Sequence, residues 1–260
     1  MVLTSFASSL IDYRHYLRQS VARDLKKRYK RSVLGYVWSM LYPLLMMAVL
    51  AVAFSKILGS TVPDYPVFLF VGMIPFQFFS TTINGCLGII GANIKIIDQV
   101  PTPKYIFPAS IAISNLINLL LSLVPLFLIM LAFGRPIPWT ALLLPLVLLP
   151  LFMATMGLSL IFCVADVFFD DTRHLTGLLI QSLYFLSPVL YGPQHLPDWL
   201  IPWVQWNPMF FIIEMMRDLL FLGVLPAPGI YAFSFLLCLL YLLAGLLLFE
   251  KTQDKFMYFI

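Results

Sequence analysis

Three groups of residues have the types and spacing to do chemistry. Asp166, Asp170 and Asp171 form the first. Carboxylates that close together can hold a divalent metal on a sugar phosphate, but they equally make a solvated turn that caps a following helix at its positive end. The second is the run 24–31, "DLKKRYKR", in which Lys26, Lys27, Arg28, Lys30 and Arg31 crowd against a segment that turns apolar with no break. Each such cation near a membrane surface contributes ~1 kcal/mol toward anionic headgroups. Glu214, Arg217 and Asp218 form the third, inside a largely apolar stretch where each charge would cost a few kcal/mol at mid-bilayer.

Other chemistries lack their residues. His15, His174 and His195 fall in three separate regions, and Cys86, Cys163 and Cys238 lie far apart inside apolar runs. No metal site and no disulfide framework is expected from them. The chain has no G-x-x-x-x-G-K-[ST] phosphate loop, so it is not expected to hydrolyse ATP itself. Its apolar runs are almost free of ionisable residues, which disfavours a proton or sodium relay.

The elements that position these groups are membrane helices. Of the 260 residues 61% are hydrophobic and 11% charged, where a soluble domain has about half and about a quarter. The excess falls in runs of about 20 residues, long enough to cross ~30 Å of hydrocarbon. Six spans are predicted, over 34–54, 67–90, 106–133, 139–164, 175–191 and 229–249. Residues 1–30 lack the unbroken apolar core of a signal peptide, so the N-terminus is expected to be retained. With that terminus inside, only Lys56, Arg135 and Arg217 of the Lys and Arg residues fall outside. Both termini are then cytoplasmic.

The stretch 196–225 reads as two short helices re-entering the outer leaflet, broken near Asn207-Pro208, with Trp199, Trp203 and Trp206 at headgroup depth. Re-entrant backbone needs cover from protein or a water-filled cavity, which suggests the outer mouth of a passage. Ahead of the first span, Phe6, Leu10, Tyr13, Leu17, Val21, Leu25 and Tyr29 recur at helical spacing and predict an amphipathic helix on the membrane surface within 1–33. Its cations anchor the topology, and a lipid diphosphate or a docking partner would feel the same field. A nucleic-acid arm is not supported, because nothing separates the run from the bilayer. Aromatic residues reach 15%; they pack helices and lipid, or line a passage over which sugar rings slide.

Five stretches carry a resemblance to a known family: "RDLKKRYKRSVLGYVWSMLYPLLMM" (23–47), "FLFVGMIPFQFFS" (68–80), "GANIKIIDQVPTPKYIFP" (91–108), "LSPVLYG" (186–192) and "WNPMFFIIEMMRDLLFLG" (206–223). In combination and spacing the chain resembles the permease subunit of ABC exporters of lipid-linked polysaccharides, namely O-antigen, capsule and teichoic acid. The resemblance implies an all-α, six-span transmembrane domain over 34–260, two copies of which pair in the bacterial inner membrane. Each copy docks on a separate ATP-binding subunit that holds ATP and Mg, so this chain carries no cofactor and is not an enzyme. Segment 93–105 maps as the loop that couples to the ATPase, with Asn93, Lys95, Asp98, Lys104 and Tyr105. Arg23, Lys27, Arg28, Tyr29 and Arg31 map to the interfacial helix facing lipid phosphate. Trp206, Asn207, Glu214 and Arg217 map to the outer gate. Tyr36, Trp38, Tyr42, Phe76, Phe79, Tyr184 and Tyr191 are candidate channel aromatics. The family's Lys pair and aromatic-Pro-basic step are absent from the coupling segment, and the turn after the fourth span reads "FFDDTR" where basic residues are common.

Two rivals follow from the residues. A drug or small-lipid exporter would often carry a large domain between the first two spans, where this chain has only a short connection. A membrane-embedded transferase acting on lipid-linked sugars would use Asp166, Asp170 and Asp171 as metal ligands.

Overall fold

A computed structural model describes residues 2–28, 34–54, 62–99 and 102–259. It is 82% helix, with no strand among the described residues. Hydrocarbon leaves no alternative partner for backbone polar groups, so apolar runs of this length close their hydrogen bonds internally.

Helices α1 (Val2–Asp12) and α2 (Arg14–Arg28) precede α3 (Val37–Phe54) and α4 (Tyr65–Cys86). Short helices α5 (Ile89–Ala92) and α6 (Ile94–Gln99) lead into α7 (Ile106–Ala132). A 3-10 turn at Trp139–Leu143 runs into α8 (Leu144–Phe168), followed by α9 (Thr172–Leu186). Next come α10 (Ile201–Val204), α11 (Pro208–Arg217) with a π turn over Asp218–Leu222, and α12 (Pro228–Thr252) with a 3-10 tail, Gln253–Tyr258. Proline in the first turn opens α4, α8, α10, α11 and α12, where its missing N–H costs nothing.

Five segments among the described residues are long and apolar enough to cross a membrane: Val37–Phe54, Tyr65–Cys86, Ile106–Ala132, Trp139–Phe168 and Pro228–Tyr258. The predicted span over 175–191 corresponds to α9, which has 15 residues and at 1.5 Å per residue reaches only ~22 Å. Its remainder, from Ser187 on, is an irregular turn.

The central helix is α4, which packs against α3, α7, α8, α9 and α11. Helices α8 and α12 approach closely where Gly157 and Gly245 face each other across the contact. A Cβ on Gly157 would collide with the backbone of Tyr241, and one on Gly245 with the backbone of Gly157. Small residues allow this approach, and close van der Waals packing is what drives helix association where no water is expelled. By contrast α3 and α9 flank α4 with most of their surface uncovered. Buried positions are Pro43, Met47 and Ala51 on α3 and Thr172, Thr176 and Ile180 on α9.

Of the predicted N-terminal stripe, Leu10, Tyr13 and Leu25 are half-buried and Tyr29 lies outside the described residues; the segment differs from expectation in two respects. The helix is broken at Tyr13, and its apolar side lies against protein: Phe6, Leu17 and Val21 are buried. Helix α2 packs on α7 and α1 on α12, with Tyr16 edge-on to Phe107 at 6.1 Å. Arg14, Arg18, Arg23 and Lys26 remain exposed on the opposite side.

Candidate functional site

Three regions gather the residues singled out by sequence. The first is a groove of about 360 Å³ walled by α3, α4 and α9. Tyr42 comes from α3, Met73 and Phe76 from α4, and Gln181, Tyr184 and Phe185 from α9. Phe76 and Tyr184 meet edge to face at 5.1 Å, a favoured geometry for aromatic pairs. Of the seven candidate channel aromatics, Tyr42, Phe76 and Tyr184 share this groove. Trp38 joins Tyr42 in an adjoining cavity between α3, α4 and α7. Tyr36 is exposed at the start of α3 and Phe79 is buried in the core. Tyr191 lies in the turn after α9, its hydroxyl donating to the Phe185 carbonyl.

The second region is the end of the bundle opposite the chain termini, organised around Arg217. Its residue surface is 5% exposed. Nη2 donates to the Val189 carbonyl at 2.8 Å and Nη1 to the Tyr191 carbonyl at 3.2 Å, while the guanidinium stacks 3.6 Å from the centre of Phe68. Its buried Nε has no partner among the described residues. Gly72 makes this possible, since a Cβ there would approach Nη2 to 2.9 Å. Phe68 in turn meets Phe221 at 5.6 Å, and Arg135 covers the other ring at 4.1 Å while pairing with Asp64. Two guanidiniums and two rings thus clamp the π turn and the 189–191 backbone onto α4.

Glu214 and Asp218 line a cavity of about 250 Å³ beside Arg217. Asn207 caps α11, accepting from the Met209 N–H at 3.0 Å and donating to Ser187 Oγ at 2.7 Å. Trp206 exposes its ring, and its carbonyl accepts from Tyr241. The break between α10 and α11 falls where sequence put it, because an Asn-Pro step ends one helix and begins another.

The third region is the terminal end, where the predicted coupling segment lies. Helix α6 occupies its middle; Lys95 and Asp98 on it are exposed. Asn93 is buried and donates to the Ile89 carbonyl at 2.8 Å. Lys104 donates to the Gln253 carbonyl and sits 5.7 Å over Phe256. Tyr105 touches Phe6 at 5.2 Å and Phe249 at 6.4 Å; Phe249 meets Phe256 at 5.3 Å, and Phe256 meets Phe168 at 6.1 Å. Edge-on rings therefore connect α1, the coupling segment, α12, its tail and the end of α8. The Lys27 and Arg28 positions close α2, and Tyr29 and Arg31 lie outside the described residues.

Asp166 is the residue whose role sequence reading missed. The 166–171 turn reads there as a solvated cap for the next helix. Asp170 and Asp171 are exposed and Asp171 makes no capping bond. The Asp166 side chain, 4% exposed, accepts from the Gly88 N–H at 2.6 Å and from Arg173 Nε at 2.7 Å. Gly88 stands at φ 69°, a conformation suited to glycine, where the chain leaves α4 for the coupling segment. Engaged this way, Asp166 is a tie between α4, α8 and α9. Its partner is 78 positions away, a separation no local pattern reveals.

A family model described as "ABC-2 type transporter" matches residues 15–221. The chain belongs to the ABC-2 type transporter family. This transporter is 35% identical over 190 residues to the O-antigen export system permease protein RfbA of Myxococcus xanthus, covering 73% of each chain. It is 29% identical to a protein of the same name from Klebsiella pneumoniae, over 90% of each. It is also 27% identical to the polysialic acid transport protein KpsM of Escherichia coli, over 89% of this chain and 91% of that one. The relatives carry permease and transport names, and the transporter's apolar helices fit a multi-pass membrane protein.

Proposed function

We propose that this chain is the transmembrane channel subunit of an ATP-driven exporter that moves lipid-linked polysaccharide, O-antigen in particular, across the bacterial inner membrane. The observation that carries the reading is the groove of Tyr42, Phe76 and Tyr184 between two otherwise uncovered helices, in a chain of this family. Aromatic faces let sugar rings slide without strong directional bonds. The uncovered sides of α3 and α9 suit a second copy, so that two grooves enclose one passage.

On this reading there are six spans with both termini cytoplasmic, α9 and the following turn crossing together. Helices α10 and α11 re-enter from the outer side, with Trp199, Trp203 and Trp206 at headgroup depth. Residues 1–33 form the interfacial domain and 34–260 the channel domain. Exposed Lys95 and Asp98 meet the ATP-binding subunit, which holds ATP and Mg. Asn93, Lys104 and Tyr105 fix the coupling segment to the bundle. Arg23, Lys27, Arg28, Tyr29 and Arg31 attract the phosphate of the lipid carrier.

The test is purification of the tagged chain from its own membranes in mild detergent. The reading expects a homodimer with two copies of a P-loop protein and Mg-ATP hydrolysis. A chain that purifies alone under every mild extraction, without ATP hydrolysis, contradicts it.

A further inference from the structure

Helix α3 has a cavity on each flank, both largely apolar in surface, with more amides and hydroxyls in the second. One is the aromatic groove. The other, about 340 Å³, lies between α3, α4 and α7 and is lined by Trp38, Tyr42, Gln77, Thr81, Asn118 and Ser122, among others. That volume is far above the ~10–15 Å³ a single water needs and within the ~300–1,000 Å³ of small-molecule sites. Amides and hydroxyls from three helices this apolar converge on it, although each would cost free energy if left against lipid.

Local bonds consume the hydroxyl protons. Thr81 donates to the Gln77 carbonyl at 2.7 Å, and Ser122 to the Asn118 carbonyl at 2.9 Å. Their lone pairs remain able to accept. The Gln77 side-chain amide, which can both donate and accept, has no protein partner among the described residues. Among the described residues no Lys, Arg, Asp or Glu lines the chamber. A phosphate or carboxylate would find no counter-ion among these lining residues, so they suit a neutral ligand better than an anionic one. A neutral sugar unit matches on both counts: its hydroxyls donate and accept as amides do, and its C–H faces stack on rings such as Trp38 and Tyr42. Tyr42 and Gln77 also line the aromatic groove, so the two spaces share one wall.

We propose that the chamber between α3, α4 and α7 is a glycan subsite, which takes one neutral sugar unit of the polymer in the groove and reads its hydroxyls. The inference rests on the channel reading above. Rotation of the Tyr42 ring, more than half exposed, opens the shared wall.

The test is photocrosslinking of the full chain in cells that make the polymer. p-Benzoylphenylalanine replaces Asn118 in the chamber, Tyr184 in the groove, or the exposed Leu128 on α7 as a lipid-side control. The purified chain is then probed with antibody or lectin against the cell's surface polysaccharide. Adducts at 118 and 184 but not at 128 are expected. Polymer at 184 alone, or phospholipid alone at 118, overturns the subsite and leaves the channel reading standing. Polymer at neither position overturns both. As a second arm, Gln77→Leu with Asn118→Leu should lower surface polymer several-fold per folded permease with an unchanged melting temperature. Gln77→Asn with Asn118→Ser should restore much of it. Equal export by the leucine variant also overturns the subsite.

Discussion

The two ends of the bundle each use an arginine to tie three elements together, in opposite electrostatic settings. Arg217, at the end away from the termini, is buried with carbonyls and a ring as partners and, among the described residues, no carboxylate within ion-pair distance. Arg173, at the terminal end, keeps its side chain 62% exposed and pairs with the nearly buried Asp166. Removing the buried Arg217 cation leaves orphaned carbonyls, whereas the exposed Arg173 guanidinium can be replaced in part by water. The first arrangement resists movement and the second tolerates it. On the proposed function, the outer end is a fixed frame, and the inner end is where a nucleotide-driven displacement enters through the coupling segment.

The largest effect that would break this contrast belongs to Arg217. Arg217→Met should cost about 3 kcal/mol or more, since Val189 and Tyr191 lose their donor and Phe68 its cover. Thermal unfolding in detergent checks it, and Arg217→Lys should fall between, because an ammonium cannot stack and fork at once. A melting temperature unchanged in the methionine variant would mean the outer clamp carries no stability.

Next comes Arg135→Ala. Its Asp64 pair is partly exposed, so about 1 kcal/mol is expected, much of it from the lost Phe221 contact. Asp166→Asn should cost about 1 kcal/mol or less, because the amide oxygen still accepts from Gly88. Its export phenotype should nevertheless exceed its stability phenotype, with ATP hydrolysis uncoupled from polymer movement. If export and ATP hydrolysis were normal, the terminal end would not be the movable one. Arg173→Ala should also cost about 1 kcal/mol, because water can replace the exposed guanidinium only in part while the nearly buried Asp166 keeps the Gly88 N–H; the loss should shrink as ionic strength rises.

The same contrast explains what sequence made legible. Helix positions follow from apolar run length and Pro, so the long helices emerge within a few residues of expectation. The α10–α11 break was readable in Asn207-Pro208, and Arg217 was conspicuous as a charge inside an apolar stretch. The terminal end was read less well. Asp166 looked like part of a wet turn because its burial depends on Gly88. The N-terminal stripe showed the right face but not that α7 and α12 cover it. The break at Tyr13 has no Gly or Pro to announce it. Helix α6 hid among the prolines that follow it. Gln77 and Asn118 drew no attention either, since one sequence does not say which side of an apolar helix faces a cavity.

The most direct test of the central claim uses a strain lacking this chain, measuring surface polysaccharide together with lipid-linked polymer in the inner membrane. Loss from the surface with full-length polymer accumulating inside is the predicted result: synthesis is intact and export has stopped. Loss from the surface with no polymer inside would contradict the account and restore a membrane-embedded transferase as the better reading.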